Sequence, residues 1–139
     1  MISRVGHVGL VVRDLERSIA FYEGLGLVLW KRMMRSGPYM DQLVGIPGVT
    51  LEWAKMHAPD GSEVELIQYH SHPDYSAMRN APSNRMGCSH VALAVDDLAR
   101  ACDQLLLLGG SVVNMPTAES RSVYCHDLDG IIVEFVRNV

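Results

Sequence analysis

Residues 7–26 read HVGLVVRDLERSIAFYEGLG, and residues 90–110 read HVALAVDDLARACDQLLLLGG. In both stretches a histidine opens an apolar, alternating run. An Asp-Leu pair follows seven residues later, at Asp14-Leu15 and Asp97-Leu98, and a glycine falls nineteen residues after the histidine, at Gly26 and Gly109. Looking for repeats before elements decides the architecture here, because one spacing in two places implies one supersecondary unit built twice. The ends match as well: Asp60-Gly61-Ser62-Glu63-Val64-Glu65 answers Asp129-Gly130-Ile131-Ile132-Val133-Glu134. Each half therefore closes on an Asp-Gly turn feeding a β-branched strand, with a glutamate five residues after the Asp. Glycine accepts positive φ without a Cβ penalty, which makes Asp-Gly a hairpin signal.

Working outward, Asp14 and Asp97 stand where a strand hands over to a helix, and their carboxylates are suited to cap the free N–H groups there. Leu15, Ile19 and Tyr22 recur at helical spacing in the first helix. Leu98, Ala101, Cys102, Leu105 and Leu108 do so in the second, which is expected to run to about Leu108. Three strands are expected after each helix, at about 27–34, 49–57 and 63–69 in the first half and 111–115, 121–126 and 131–137 in the second. The expectation is an α+β chain of two βαβββ modules, forming a curled mixed sheet around a shared cavity. The boundaries are a first module over 4–69, a linker over 70–87 and a second module over 88–137, all within one domain spanning 1–139. The first half is fourteen residues longer between its histidine and its glutamate. Most of that excess lies in 35–48, RSGPYMDQLVGIPG, read as an irregular loop. It has no lysine followed by Ser or Thr of the phosphate-cradling kind.

Composition narrows the function classes. With 12 Lys and Arg against 16 Asp and Glu, the net charge is -4, so nucleic acid is not an expected partner. No run approaches eighteen apolar residues, so no membrane span is expected. The opening MISRVGHVGLVV lacks a small-residue cleavage site and is soon interrupted by charge, so it reads as a first strand of a cytoplasmic protein. Cys88, Cys102 and Cys125 are odd in number and dispersed, which fits buried free thiols better than a disulfide framework.

Four polar residues recur inside the apolar strands of the repeat: His7 with His90, and Glu65 with Glu134. A lone carboxylate between Val64 and Leu66, or between Val133 and Phe135, costs several kcal/mol if buried without a cation or a proton. Two imidazoles and two carboxylates related by the repeat supply a site for one divalent ion, with Zn, Ni, Co, Mn and Fe all compatible. Free positions on such an ion would take substrate oxygens. A coordinated carbonyl lowers the cost of forming an enediolate, and a glutamate partly displaced from the metal becomes a base at the adjacent carbon. His57, His70, His72 and His126 have no counterpart in this reading. Arg13, Arg32, Arg35, Arg79, Arg85 and Arg121 are candidate carboxylate anchors, Arg121 being the best placed, and Met33, Met34 and Met40 read as pocket wall or core fillers.

The segments HVGLVVRDLERSIAFY, CSHVALAVDDL and DLDGIIVEF give the chain its resemblance to the vicinal oxygen chelate superfamily, from about Val5 to Arg137. That group contains glyoxalase I, methylmalonyl-CoA epimerase, fosfomycin-resistance enzymes, bleomycin-resistance proteins and extradiol dioxygenases. The resemblance implies metal ligands on the first and last strand of each module, which match His7, Glu65, His90 and Glu134. It implies a glyoxalase-type lyase or isomerase that removes a proton next to a metal-coordinated carbonyl, with Glu134 the leading base and Glu65 its partner. Arg121, Tyr69 and Met40 are the expected substrate contacts, and a homodimer is the expected assembly. Three other readings stay open: a ferrous extradiol-type dioxygenase, an epimerase of the methylmalonyl-CoA type, and a non-catalytic small-molecule binder. Glyoxalase I-like enzymes generally show an Asn-Trp feature where this chain has Tyr69-His70-Ser71.

Overall fold

The computed structural model describes residues 1–75 and 81–138, and the chain divides into two compact units after Tyr75. The first unit runs β1 (Val8–Val11), α1 (Leu15–Gly24), β2 (Val28–Ser36), α2 (Pro38–Val44), β3 (Thr50–His57) and β4 (Glu63–Tyr69). Its sheet has the order β1-β4-β3-β2, with β1 parallel to β4 and the other neighbours antiparallel. The second unit runs β5 (His90–Val95), α3 (Leu98–Leu107), β6 (Ser111–Val112), β7 (Ser122–His126) and β8 (Ile132–Arg137). Its order, β5-β8-β7-β6, repeats the first, again with the opening strand parallel to the last. The two-module βαβββ plan is thus present, each module carrying its own four-stranded mixed sheet.

Local chemistry explains the repeated elements. Asp14 accepts a hydrogen bond from the Arg17 backbone N–H at 3.1 Å, and Asp97 accepts one from the Arg100 N–H at 3.0 Å, so both helices start on the same cap. Gly26 and Gly109 take φ of 108° and 96° just past the helix ends, where a side chain would be strained. One face of each helix is buried against its own sheet: Leu15, Ile19, Phe21 and Tyr22 with Val64, Leu66, Ala54 and Met56, and Leu98, Cys102 and Leu105 with Val123, Cys125, Val133 and Phe135. Burying such side chains contributes on the order of 1.5–3 kcal/mol each before chain entropy is set against it. Because side chains alternate along a strand, the opposite face of each sheet takes the remaining residues, and those include Glu65, His90 and Glu134.

Three expectations need correction. Residues 35–48 are not a plain loop: β2 continues to Ser36, and α2 follows with Pro38 in its first turn and Gly45 closing it at φ 71°. The helix is held by burial rather than by length, because Met40 seals a small cluster with Val49 and Leu51 against which Val44, Ile46, Trp53, Ile67 and Tyr69 pack. The strand expected at 111–115 pairs only over Ser111 and Val112. Cys102 and Cys125 are buried as expected, but Cys88 is exposed, lying just before β5 and outside the helices and strands of the described residues. Among the described residues no helix is long and apolar enough to cross a membrane.

Candidate metal centre

In the first unit, strand alternation sends Val64 and Leu66 beneath α1 and leaves Glu63, Glu65 and Ile67 on the other face of β4. The antiparallel register places His57 opposite Glu63, Lys55 opposite Glu65 and Trp53 opposite Ile67. On the other side, β1 runs parallel with Val8 beside Val64, so His7, one residue before the strand, falls next to Glu63 and Glu65. The His7 Nε2 lies 3.3 Å from Glu65 Oε2, and its Nδ1 lies 3.7 Å from Glu63 Oε1. Ligand-type atoms of His7, Glu63 and Glu65 all fall within 4.8 Å of one another, making a candidate metal-binding triad.

Around that triad the sheet face is densely charged. Lys55 Nζ stands 3.0 Å from Glu63 Oε1, and His57 Nε2 stands 2.9 Å from Glu63 Oε2. Burial pushes the Glu63 carboxyl upward, but the hydrogen bonds and charges of His57 and Lys55 outweigh it and hold the group below its ordinary value. The Trp30 ring stacks on His57 at 4.9 Å, and the Lys55 ammonium sits 5.6 Å from the Trp53 ring centre.

The second unit repeats the pair and changes its setting. His90 Nε2 is 3.0 Å from Glu134 Oε2, while the other ring nitrogen, Nδ1, faces the Tyr124 hydroxyl at 3.3 Å and the Ser89 hydroxyl at 3.2 Å. Tyr124 is the cross-strand neighbour of Glu134, and Ala92 flanks it on β5. Of the four residues expected to share one ion, His7 therefore meets Glu65 in the first unit and His90 meets Glu134 in the second.

The donor set fits a divalent ion. Two ligand atoms bound at about 2.1 Å and separated by an angle between 90° and the tetrahedral value are themselves roughly 3.0–3.4 Å apart. The two Nε2–Oε2 separations, 3.3 and 3.0 Å, match that span. Nitrogen from imidazole with oxygen from carboxylate suits borderline first-row metals. In both modules the carboxylates are mostly covered, with side-chain exposures of 13% for Glu65 and 18% for Glu134, so each needs a positive partner.

Other candidates fall elsewhere. Met40 is buried in the α2 cluster, and Tyr69 packs against it while also lining a cleft of about 160 Å³ with Val11, Ile46, His72 and Tyr75. Arg121 is exposed just before β7, and its carbonyl accepts a hydrogen bond from the Arg137 N–H. Arg32 is not available as a substrate anchor. It donates to the buried Glu52 at 3.0 and 2.8 Å and pairs with Glu16 at 2.6 Å, which raises its own pKa. Arg13 lies over the Tyr75 ring at 4.2 Å, and Arg79 falls outside the described residues.

Sequence reasoning missed Lys55, His57 and Tyr124 as neighbours of the pairs, whereas strand alternation alone puts Glu63 on the face of Glu65. It also left His57 and His126 without counterparts, whereas they are equivalent: each stands opposite the residue two before the module's glutamate, His57 against Glu63 and His126 against Ile132. The signal was in the chain, since both histidines precede the Asp of their Asp-Gly turn by three residues.

Comparison with known proteins bears on the fold and the family. The chain is 35% identical over 102 residues to the Bacillus subtilis protein YwbC, described as uncharacterized; the match covers 71% of this chain and 66% of that protein, just under two thirds of its length. It is 29% identical to a Neisseria meningitidis protein named lactoylglutathione lyase, with 96% of this chain and 90% of the relative covered. A crystal structure of a glyoxalase-family protein from Bacillus cereus superposes with a TM-score of 0.91 at 27% identity, covering 99% of this chain and 95% of the other. The model of the Glyoxalase/Bleomycin resistance protein/Dioxygenase superfamily matches residues 4–135, nearly the whole chain, and the chain belongs to that superfamily.

Proposed function

We propose that the protein is a divalent-metal-dependent lyase or isomerase of the glyoxalase type, acting on a small molecule that carries an acidic C–H beside a carbonyl. The observation that carries this reading is the duplicated pair: in both modules an imidazole Nε2 meets a last-strand carboxylate at ligand spacing. His7, Glu65, His90 and Glu134 are the residues that would hold the ion. A bound divalent ion would polarise the substrate carbonyl and so lower the cost of removing the neighbouring proton.

What the chain's own residues do follows from their settings. Glu134 is the proposed base: its carboxylate contacts His90 and has a phenol, not an ammonium, as its cross-strand neighbour. Glu65 holds the complementary position, with Lys55 across the strand. Alignment with lactoylglutathione lyases over nearly the full length supports the glyoxalase-type chemistry. The proposed assembly is a homodimer, with the four ligands drawn from one chain or from two.

Two measurements test the reading together: metal content of the purified protein, and exchange of the substrate's α-proton with solvent deuterium. Bound divalent metal in stoichiometric amount and metal-dependent exchange are expected. A chain that takes up no divalent metal from excess ion would end the proposal.

A further inference from the structure

The triad of His7, Glu63 and Glu65 offers two carboxylates to one imidazole, and they are not equivalent. Glu65 Oε2 faces Nε2 at 3.3 Å, while Glu63 Oε1 faces Nδ1 at 3.7 Å, on the other side of the same ring. Both Glu63 oxygens are already engaged, Oε1 by the Lys55 ammonium at 3.0 Å and Oε2 by His57 Nε2 at 2.9 Å. An ion bound to Glu63 would sit against that ammonium, with two positive charges sharing one oxygen. An ion bound to Glu65 and His7 Nε2 would meet no such obstacle.

We propose that Glu63, clamped by Lys55 and His57, is not a ligand but the positioning residue that orients His7: its fixed negative charge, facing Nδ1 at 3.7 Å and so beyond direct hydrogen-bond length, favours the proton on Nδ1 and leaves Nε2 as the nitrogen presented to the metal. The inference rests on the metal reading above and deepens it. A ligating imidazole is commonly fixed through its second nitrogen by a carboxylate or another acceptor, which sets the tautomer and the ring plane. The clamp is itself braced: Trp30 stacks on His57 with ring planes 16° apart, and Lys55 is flanked by the rings of Trp53 and Trp30 at 5.6 and 5.9 Å. The second module has Ile132 where the first has Glu63, and there Nδ1 of His90 faces the hydroxyls of Tyr124 and Ser89 instead. Among the described residues the charged clamp thus belongs to the first module.

The experiment loads the full chain with Co²⁺ and reads the visible ligand-field spectrum, with affinity measured by competition against a chromophoric chelator. Wild type, Glu63→Gln, Lys55→Met and Glu65→Gln are compared, and circular dichroism checks that each is folded. Glu63→Gln is expected to keep the wild-type band shape and to bind about 10–100-fold more weakly, the usual cost of losing an outer partner. Lys55→Met, which leaves the carboxylate in place but unclamped, is expected to fall between that variant and wild type, and Glu65→Gln to change the band shape itself. If Glu63→Gln alters the bands as Glu65→Gln does, Glu63 is a ligand and the proposal is overturned. Unchanged affinity in both Glu63→Gln and Lys55→Met overturns it equally. A wild-type chain that binds no Co²⁺ would instead remove the metal reading on which it stands.

Discussion

The two modules share a strand order, a helix cap, an Asp-Gly turn, a His–Glu pair and the equivalent histidines His57 and His126, yet the rest of the surroundings of the two pairs differs. In the first module the pair sits beside Lys55, Glu63 and His57, braced by Trp30. In the second, equivalent register positions hold Tyr124, Ile132 and His126, and hydroxyls replace charges around His90. The shared features are the ones the backbone plan requires to bring an imidazole onto a carboxylate. The differing ones give the first pair a crowded, charged setting and the second a sparser one lined by hydroxyls.

The largest effect that sharpens this contrast is expected at Glu134. Glu134→Gln should lower turnover by about 10²–10⁴-fold, the range for losing a general base, with the fold intact. Metal content must be measured beside the rate, and equal loss in a variant still loaded with metal would place the effect on proton transfer. Next comes a stability test confined to the first module. Arg32→Met strips the buried Glu52 of its guanidinium partner and should cost about 2–3 kcal/mol, read from denaturant unfolding.

The second module has its own weak point at Gly110. A Cβ there would stand 2.7 Å from the His126 carbonyl oxygen and 2.6 Å from a Leu105 methyl, so the α3 turn and β7 approach too closely for any side chain. Gly110→Ala is expected to cost roughly 1–3 kcal/mol through overpacking, again by chemical denaturation. Asp14→Ala and Asp97→Ala probe what the modules hold in common. Each should cost about 1 kcal/mol, and a clear inequality between them would show that the repeated cap is not energetically equivalent in its two settings.

The smallest perturbation distinguishes exposed from buried thiols. Cys102 and Cys125 are both buried in the core beneath α3, and burial pushes the Cys125 thiol up to about 12 and raises that of Cys102. A raised pKa leaves a thiol protonated and unreactive at pH 8, since the thiolate is the nucleophile. Iodoacetamide on native protein at that pH should therefore label Cys88 and spare the other two, as peptide mass analysis would reveal.

Much of the architecture was legible because it repeats. A spacing that occurs twice is hard to produce by chance, and the capping Asp, the closing glycine and the Asp-Gly turn each obey local rules that need no tertiary partner. The helix α2 escaped because its seven residues carry little periodicity, and its Pro38 and Gly45 equally mark a loop. What stabilises it is Met40 meeting Val49 and Leu51, a contact made only once β3 is in place. Of the residues around the pairs, Lys55 and Tyr124 were invisible for a similar reason: they become neighbours of the glutamates only through hairpin register.

From the chain alone came the duplicated βαβββ plan and the matched places of His7, Glu65, His90 and Glu134 within it, because both follow from the repeated spacing and from turns encoded within a few residues. Only the folded sheets decided which ring nitrogen meets which carboxylate, that Glu63 is held by Lys55 and His57, and that Arg32 serves Glu52. Those facts depend on register between strands distant in sequence, where a shift of one residue turns every side chain to the opposite face.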